Sequence, residues 1–103
     1  MRLRFFFDPG AGVCFWSGDD EARARFGDYP VDIAALGLDP ALAARGEALI
    51  ARHDLSLDWN DPGGPSPWTG AERAAFAADA RAFLADMRGA LPSIRIDDET
   101  VSP

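Results

Sequence analysis

Chemistry in this chain would have to come from few side chains: Cys14, its one cysteine, His53, its one histidine, and the carboxylates near them. A Cys14 thiolate with His53 as base would make a nucleophile pair, because a thiol attacks only after a neighbouring group has taken its proton. His53-Asp54 is a dipeptide that metal phosphohydrolases use, but a metal cage needs several such ligands and one histidine falls short of the count. Asp58, Asn60 and Asp61 share a Gly-containing turn, as calcium ligands do. An EF-hand spacing counted from Asp58 nevertheless places Pro62 at a ligand position and Thr69 where the bidentate Glu belongs. Asx turns account for these residues better. Nothing marks a pocket in which Asp58 and Asp61 would do acid and base work, and there is no phosphate-binding Gly loop or Ser nucleophile elbow. Cys14, in an aromatic-rich strand pattern, reads as an inert core residue. His53 reads as a helix end, where an imidazole meets the negative pole of the dipole. No catalytic set, metal or cofactor is expected, and the alternative keeps Cys14, His53 and Asp58 as the site of a small enzyme or small-ligand binder at a sheet edge.

Binding is the stronger expectation, and it centres on the stretch Ser56 to Glu72, SLDWNDPGGPSPWTGAE. Pro and Gly forbid helix or strand there, yet the loop carries Trp59 and Trp68, which a solvated linker does not need. Trp68, beside a helix start, reads as a lid on the domain's own core. Trp59, between Asp58 and Asn60, suits core or interface equally, since indoles are also enriched at binding hot spots. Asp54, Asp58, Trp59 and Asp61 are therefore the candidate partner-binding residues.

The elements that must position this loop are legible from periodicity. Leu3, Phe5 and Phe7 alternate with Arg2, Arg4 and Phe6, which predicts a strand. Asp8 to Gly12 supplies turn residues, and Val13 to Trp16 returns as a second strand, with Val13 and Phe15 on one face and Cys14 and Trp16 on the other. Exposed aromatics on this hairpin would be a route to self-association. Ser17 to Asp20 is a helix start, the short helix runs from about Asp20 to Phe26, and Gly27 stops it. Asp28 to Asp32 is read as an extended connector, because the residue before Pro30 is pushed out of the α region. Asp39-Pro40 opens a helix that runs to His53 or Asp54, with Gly46 weakening its middle by about 1 kcal/mol.

Thr69-Gly-Ala-Glu72 matches a capping box. The helix behind it is the clearest in the chain, with Phe76, Ala80, Phe83, Leu84, Met87 and Leu91 in one apolar stripe. Burial of each large member contributes about 1.5 to 3 kcal/mol, so this helix should form the main layer over the sheet. Gly89 and Pro92 end it, and Ser93 to Asp97 alternates again as a third strand. The expected fold is one α+β domain over 1–97 with a polar tail from Asp98 to Pro103. Its sheet would be small, three-stranded and of antiparallel type, covered on one face by two main helices and a short one.

At 103 residues the chain suits a single domain that folds unaided. No apolar run approaches the roughly 18 residues of a membrane span, and the apolar run at the start ends at Asp8, short of a secretory signal. Together with the single cysteine, this points to the cytoplasm. The net charge of −7 repels phosphate backbones and anionic membranes, and all ten basic residues are arginines scattered along the sequence. An acidic domain of this kind is attracted to basic partners.

The strings FWSGDDEARARFGDYPVDI, LIARHDLSLDWNDP and PSPWTGAERAAF resemble small, acidic, uncharacterised bacterial proteins from GC-rich genomes, a group associated with the immunity proteins of polymorphic or contact-dependent toxin systems. The likeness runs from about Val13 to Leu91. It implies an inhibitor that binds and blocks a toxin domain, with acidity serving to steer association with a basic cleft. It assigns no individual residue a role.

Overall fold

The computed structural model describes residues 1–100. They form an α+β fold with three α-helices and an open mixed sheet of four strands in the order β3-β2-β1-β4. Strand β1 (Arg2–Phe5) pairs antiparallel with β2 (Phe15–Ser17) in the register Leu3 to Ser17, Arg4 to Trp16 and Phe5 to Phe15. The expected hairpin is there, closed by the turn after Asp8.

Two features of the sheet correct the expectation of three antiparallel-type strands. Pro30–Val31, read as connector, is a fourth strand, β3, paired antiparallel with β2. Pro30 holds its neighbour Tyr29 extended, and the Tyr29 carbonyl accepts from the Ser17 N–H at 2.8 Å. At the sheet edge, the donor that proline lacks is not needed. The C-terminal strand β4 (Arg95–Asp98) joins as expected, but it lies parallel to β1, with Arg2 opposite Arg95 and Phe5 opposite Asp98. A parallel pair needs a long crossover, and the long helix before β4 carries the chain back to the end of the sheet where β1 begins. There the Arg95 N–H donates to the Met1 carbonyl at 3.0 Å. Asp98, assigned to the tail from sequence, ends β4, and the Glu99 N–H donates to the Phe5 carbonyl at 2.9 Å. Residues 101–103 of that tail lie outside the described residues.

Helix α1 (Asp20–Phe26) starts on Asp19, whose carboxylate accepts from the Ala22 N–H at 2.8 Å. A 3-10 turn at Ile33–Leu36 leads to α2 (Pro40–Asp54), capped by Asp39. Helix α3 (Gly70–Ala90) carries the expected capping box: Thr69 Oγ1 accepts from the Glu72 N–H at 3.1 Å and Glu72 Oε1 from the Thr69 N–H at 3.0 Å. Its buried stripe of Phe76, Ala80, Phe83, Leu84 and Met87 packs with Leu3, Phe5, Phe15, Val31 and Ile96 of the sheet and with Leu49 and Ile50 of α2.

Gly46 is a close-packing point. A Cβ there would lie 2.5 Å from Ile33 Cδ1 and 2.8 Å from Phe83 Cζ, so the missing side chain is what lets the 3-10 turn and α3 reach α2. Cys14 also departs from the expected alternation, because both it and Phe15 are in the core. The backbone bends at Cys14 and the strand begins only at Phe15, so consecutive side chains need not oppose each other there.

Candidate functional site

The loop that follows α2 is built from its own hydrogen bonds. Asp54, the last residue of α2, is an anchor: its carboxylate Oδ1 accepts from the Gly10 N–H at 2.9 Å, and its carbonyl accepts from the Trp59 indole N–H at 2.9 Å. The indole thereby lies over the β1–β2 turn, with Trp59 Cη2 3.1 Å from the position a Gly10 Cβ would take. Gly10 has φ +80° besides, so both its conformation and the close ring call for glycine. Asp58 Oδ1 accepts from the Asn60 N–H at 3.0 Å, the expected Asx turn, and the Asp61 and Gly64 N–H groups continue a chain of turns. Downstream, the Ser66 hydroxyl donates to the Ser56 carbonyl and accepts from the Trp68 N–H, which pins the far end of the loop.

The two indoles separate as follows. Trp68 is half-buried against the core, its ring 5.2 Å from Phe76 and edge-on to His53. Trp59 remains 55% exposed. Leu55, which sequence reasoning passed over, is 65% exposed at the C-cap of α2. No pattern could have flagged it, because a lone leucine at a helix end reads as core. The four candidates thus lie together in sequence, Asp54 at the end of α2 and Asp58, Trp59 and Asp61 in the loop behind it, with Leu55 between. None of the three carboxylates is in an ion pair among the described residues.

The alternative trio has a different fate. Cys14 is fully buried, and burial pushes its thiol well above the ordinary range. No hydrogen bond joins it to His53 among the described residues, and the Asp58 side chain is spent on its own turn. His53 does line a groove. This open depression of about 720 Å³ lies where the first half of α3 meets the end of β4 and the loop. Its floor is aromatic: His53 stacks on Phe7 at 5.2 Å, and Phe76 and Trp68 complete it. Arg73 and Arg81 of α3 line the same groove, which the scatter of arginines in the sequence did not reveal. Burial holds the His53 imidazole below its ordinary value, outweighing the opposing pull of Asp54 and Asp8.

At the groove's other end Arg4 forms a two-pronged pair with Glu99, at 2.8 Å on each contact, and also donates to the Tyr29 hydroxyl at 3.0 Å. The hydrogen bonds from Arg4 hold the Glu99 carboxyl below the usual carboxylate range. Among the described residues no three His, Cys, Asp or Glu side chains are grouped so as to hold a metal ion, and no helix is long and apolar enough to cross a membrane. Compared with known protein families and with curated proteins, the chain matches none.

Proposed function

We propose that the protein is a non-enzymatic binding module that engages a basic protein surface through the loop from Asp54 to Asp61. The observation that carries this reading is the exposure of Leu55 and Trp59 together, at 65% and 55%, beside three carboxylates that make no ion pair among the described residues. An apolar pair ringed by charge of one sign has the anatomy of a binding hot spot, with a desolvating centre and a polar rim that steers the partner. The indole N–H bond to the Asp54 carbonyl and the ring's seat on Gly10 hold Trp59 in place before any partner arrives, which lowers the ordering cost of association.

In its most concrete form the module is a cytoplasmic immunity or antitoxin-like inhibitor, and the net charge of −7 supports a basic toxin domain as its partner. Co-expression with the product of the neighbouring reading frame tests this. A stoichiometric complex and rescue of growth are expected. If the neighbour is harmless or growth is not rescued, and tagged protein from its native cell carries no stoichiometric partner, the proposal fails.

A further inference from the structure

In a chain with seven more acidic than basic residues, arginines should find carboxylates easily, and six of the ten do. Arg88 instead donates to the Ile96 carbonyl, and Arg25 lies over the Phe26 ring. Arg73 and Arg81 make no such contact among the described residues, and both line the groove between α3 and β4. Eight residues apart on one helix, they are separated by about 12 Å along its axis. Of the two carboxylates at the groove, Glu99 is paired with Arg4, and Asp98 accepts from the N–H and hydroxyl of Thr100 through Oδ1.

His53 adds a donor to this set. Its Nδ1 is sealed from solvent with no hydrogen-bond partner, so an imidazolium would bury an N–H with nothing to accept it. Burial of Nδ1 favours the neutral ring with its proton on Nε2, which makes no hydrogen bond among the described residues. The cations left unpaired in the groove among the described residues are thus Arg73 and Arg81, with His53 Nε2 as a further donor, and the rings of Phe7, Phe76 and Trp68 line it at angles to one another. A volume of about 720 Å³ is in the range of a site for one small molecule.

We propose that this groove binds a small planar aromatic carboxylate, its ring packed against the half-buried indole of Trp68 and its carboxylate met by the guanidinium of Arg73 or Arg81. The site is separate from the loop surface of Leu55 and Trp59, and it stands or falls independently of the protein-binding proposal. Aromatic stacking supplies the affinity, and the charge-assisted hydrogen bond selects an anion over its neutral isostere.

Naphthalene-2-carboxylate titrated into isotope-labelled protein tests this, because the three tryptophans give three indole N–H resonances. A saturable shift is expected at Trp68, with Trp59 little moved. Naphthalene-2-carboxamide should bind about tenfold more weakly or worse, and so should the carboxylate to an Arg73→Gln, Arg81→Gln double variant, since each loses a charge-assisted hydrogen bond. Both arginines are exposed, so the double variant should melt with the wild type. Asp58→Asn with Asp61→Asn should leave this binding unchanged. The proposal is overturned if no shift saturates by millimolar ligand, or if the shifts centre on Trp59. Equal binding of the carboxamide, wild-type binding by the double variant, or tighter occupation of the groove by an acidic peptide would overturn it as well.

Discussion

Trp16 and Trp59 both lie beside charge, and their surroundings are put together in opposite ways. On the sheet face turned away from the helices, Phe6 stacks on Trp16 at 4.6 Å, Tyr29 closes over the same indole at 4.7 Å, and Arg4 spans both outer rings. The polar groups there answer one another: the Trp16 N–H donates to the Phe6 carbonyl at 3.1 Å, and Arg4 is shared between Glu99 and Tyr29. Trp16 is left only 6% exposed although it lies outside the main core cluster. On the loop, Trp59 makes one hydrogen bond to backbone and keeps more than half its surface in water; among the described residues no aromatic ring stacks on it and no cation pairs with the carboxylates beside it. A tryptophan near charges is therefore not by itself a binding signal. The difference lies in whether the charges are consumed internally, and it makes the sheet face a finished surface and the loop an open one.

The largest expected effect tests the finished surface. Trp16→Ala should cost about 3 to 5 kcal/mol of stability in urea unfolding, as for other buried indoles, whereas Trp59→Ala should cost about 1 kcal/mol or less. Comparable losses at the two positions would erase the contrast. On the binding side the order reverses: Trp59→Ala should weaken a complex with the basic partner by about 2 kcal/mol or more, and Trp16→Ala should act only through folding.

Acidification probes the finished sheet face through Glu99 and the groove beside it through His53. Because the folded His53 takes its proton less readily than the ordinary 6.5 of the unfolded chain, its contribution is whole above that pH and is lost as pH falls below it. Glu99 follows the same sign below 4.5, since Arg4 depresses its folded value. Melting temperature should therefore decline in two stages, and His53→Gln should remove the first while Glu99→Gln removes the second; a single stage unaffected by either variant would contradict the assignment. The smallest stability effect belongs to Asp58→Asn with Asp61→Asn, which should change unfolding by no more than about 0.5 kcal/mol. Stopped-flow association with the partner should slow and lose part of its salt dependence, because rim charges act on encounter. Wild-type kinetics at low salt would remove the loop from the interface.

Much of this architecture was written locally. The Thr69 and Glu72 capping box, Asp39-Pro40 at the start of α2, the apolar stripe of α3 and the turn after Asp8 depend on residues within a few positions of one another, so periodicity and caps sufficed to place them. The sequence also determined that the loop after Asp54 is neither helix nor strand and that its carboxylates outnumber nearby cations. Only the tertiary structure decided that β4 lies parallel to β1, because that pairing rests on the crossover through α3. It also turned Gly46 from a weak point of α2 into the seat of Ile33 and Phe83. The three indoles divide for the same reason: Trp16 is hidden by Phe6 and Tyr29, Trp68 leans on Phe76, and Trp59 finds only a glycine turn. Arg4 and Glu99 are 95 positions apart, and no spacing rule connects residues so distant; which charges are consumed and which remain open is settled by long-range contacts that form only when the chain has folded.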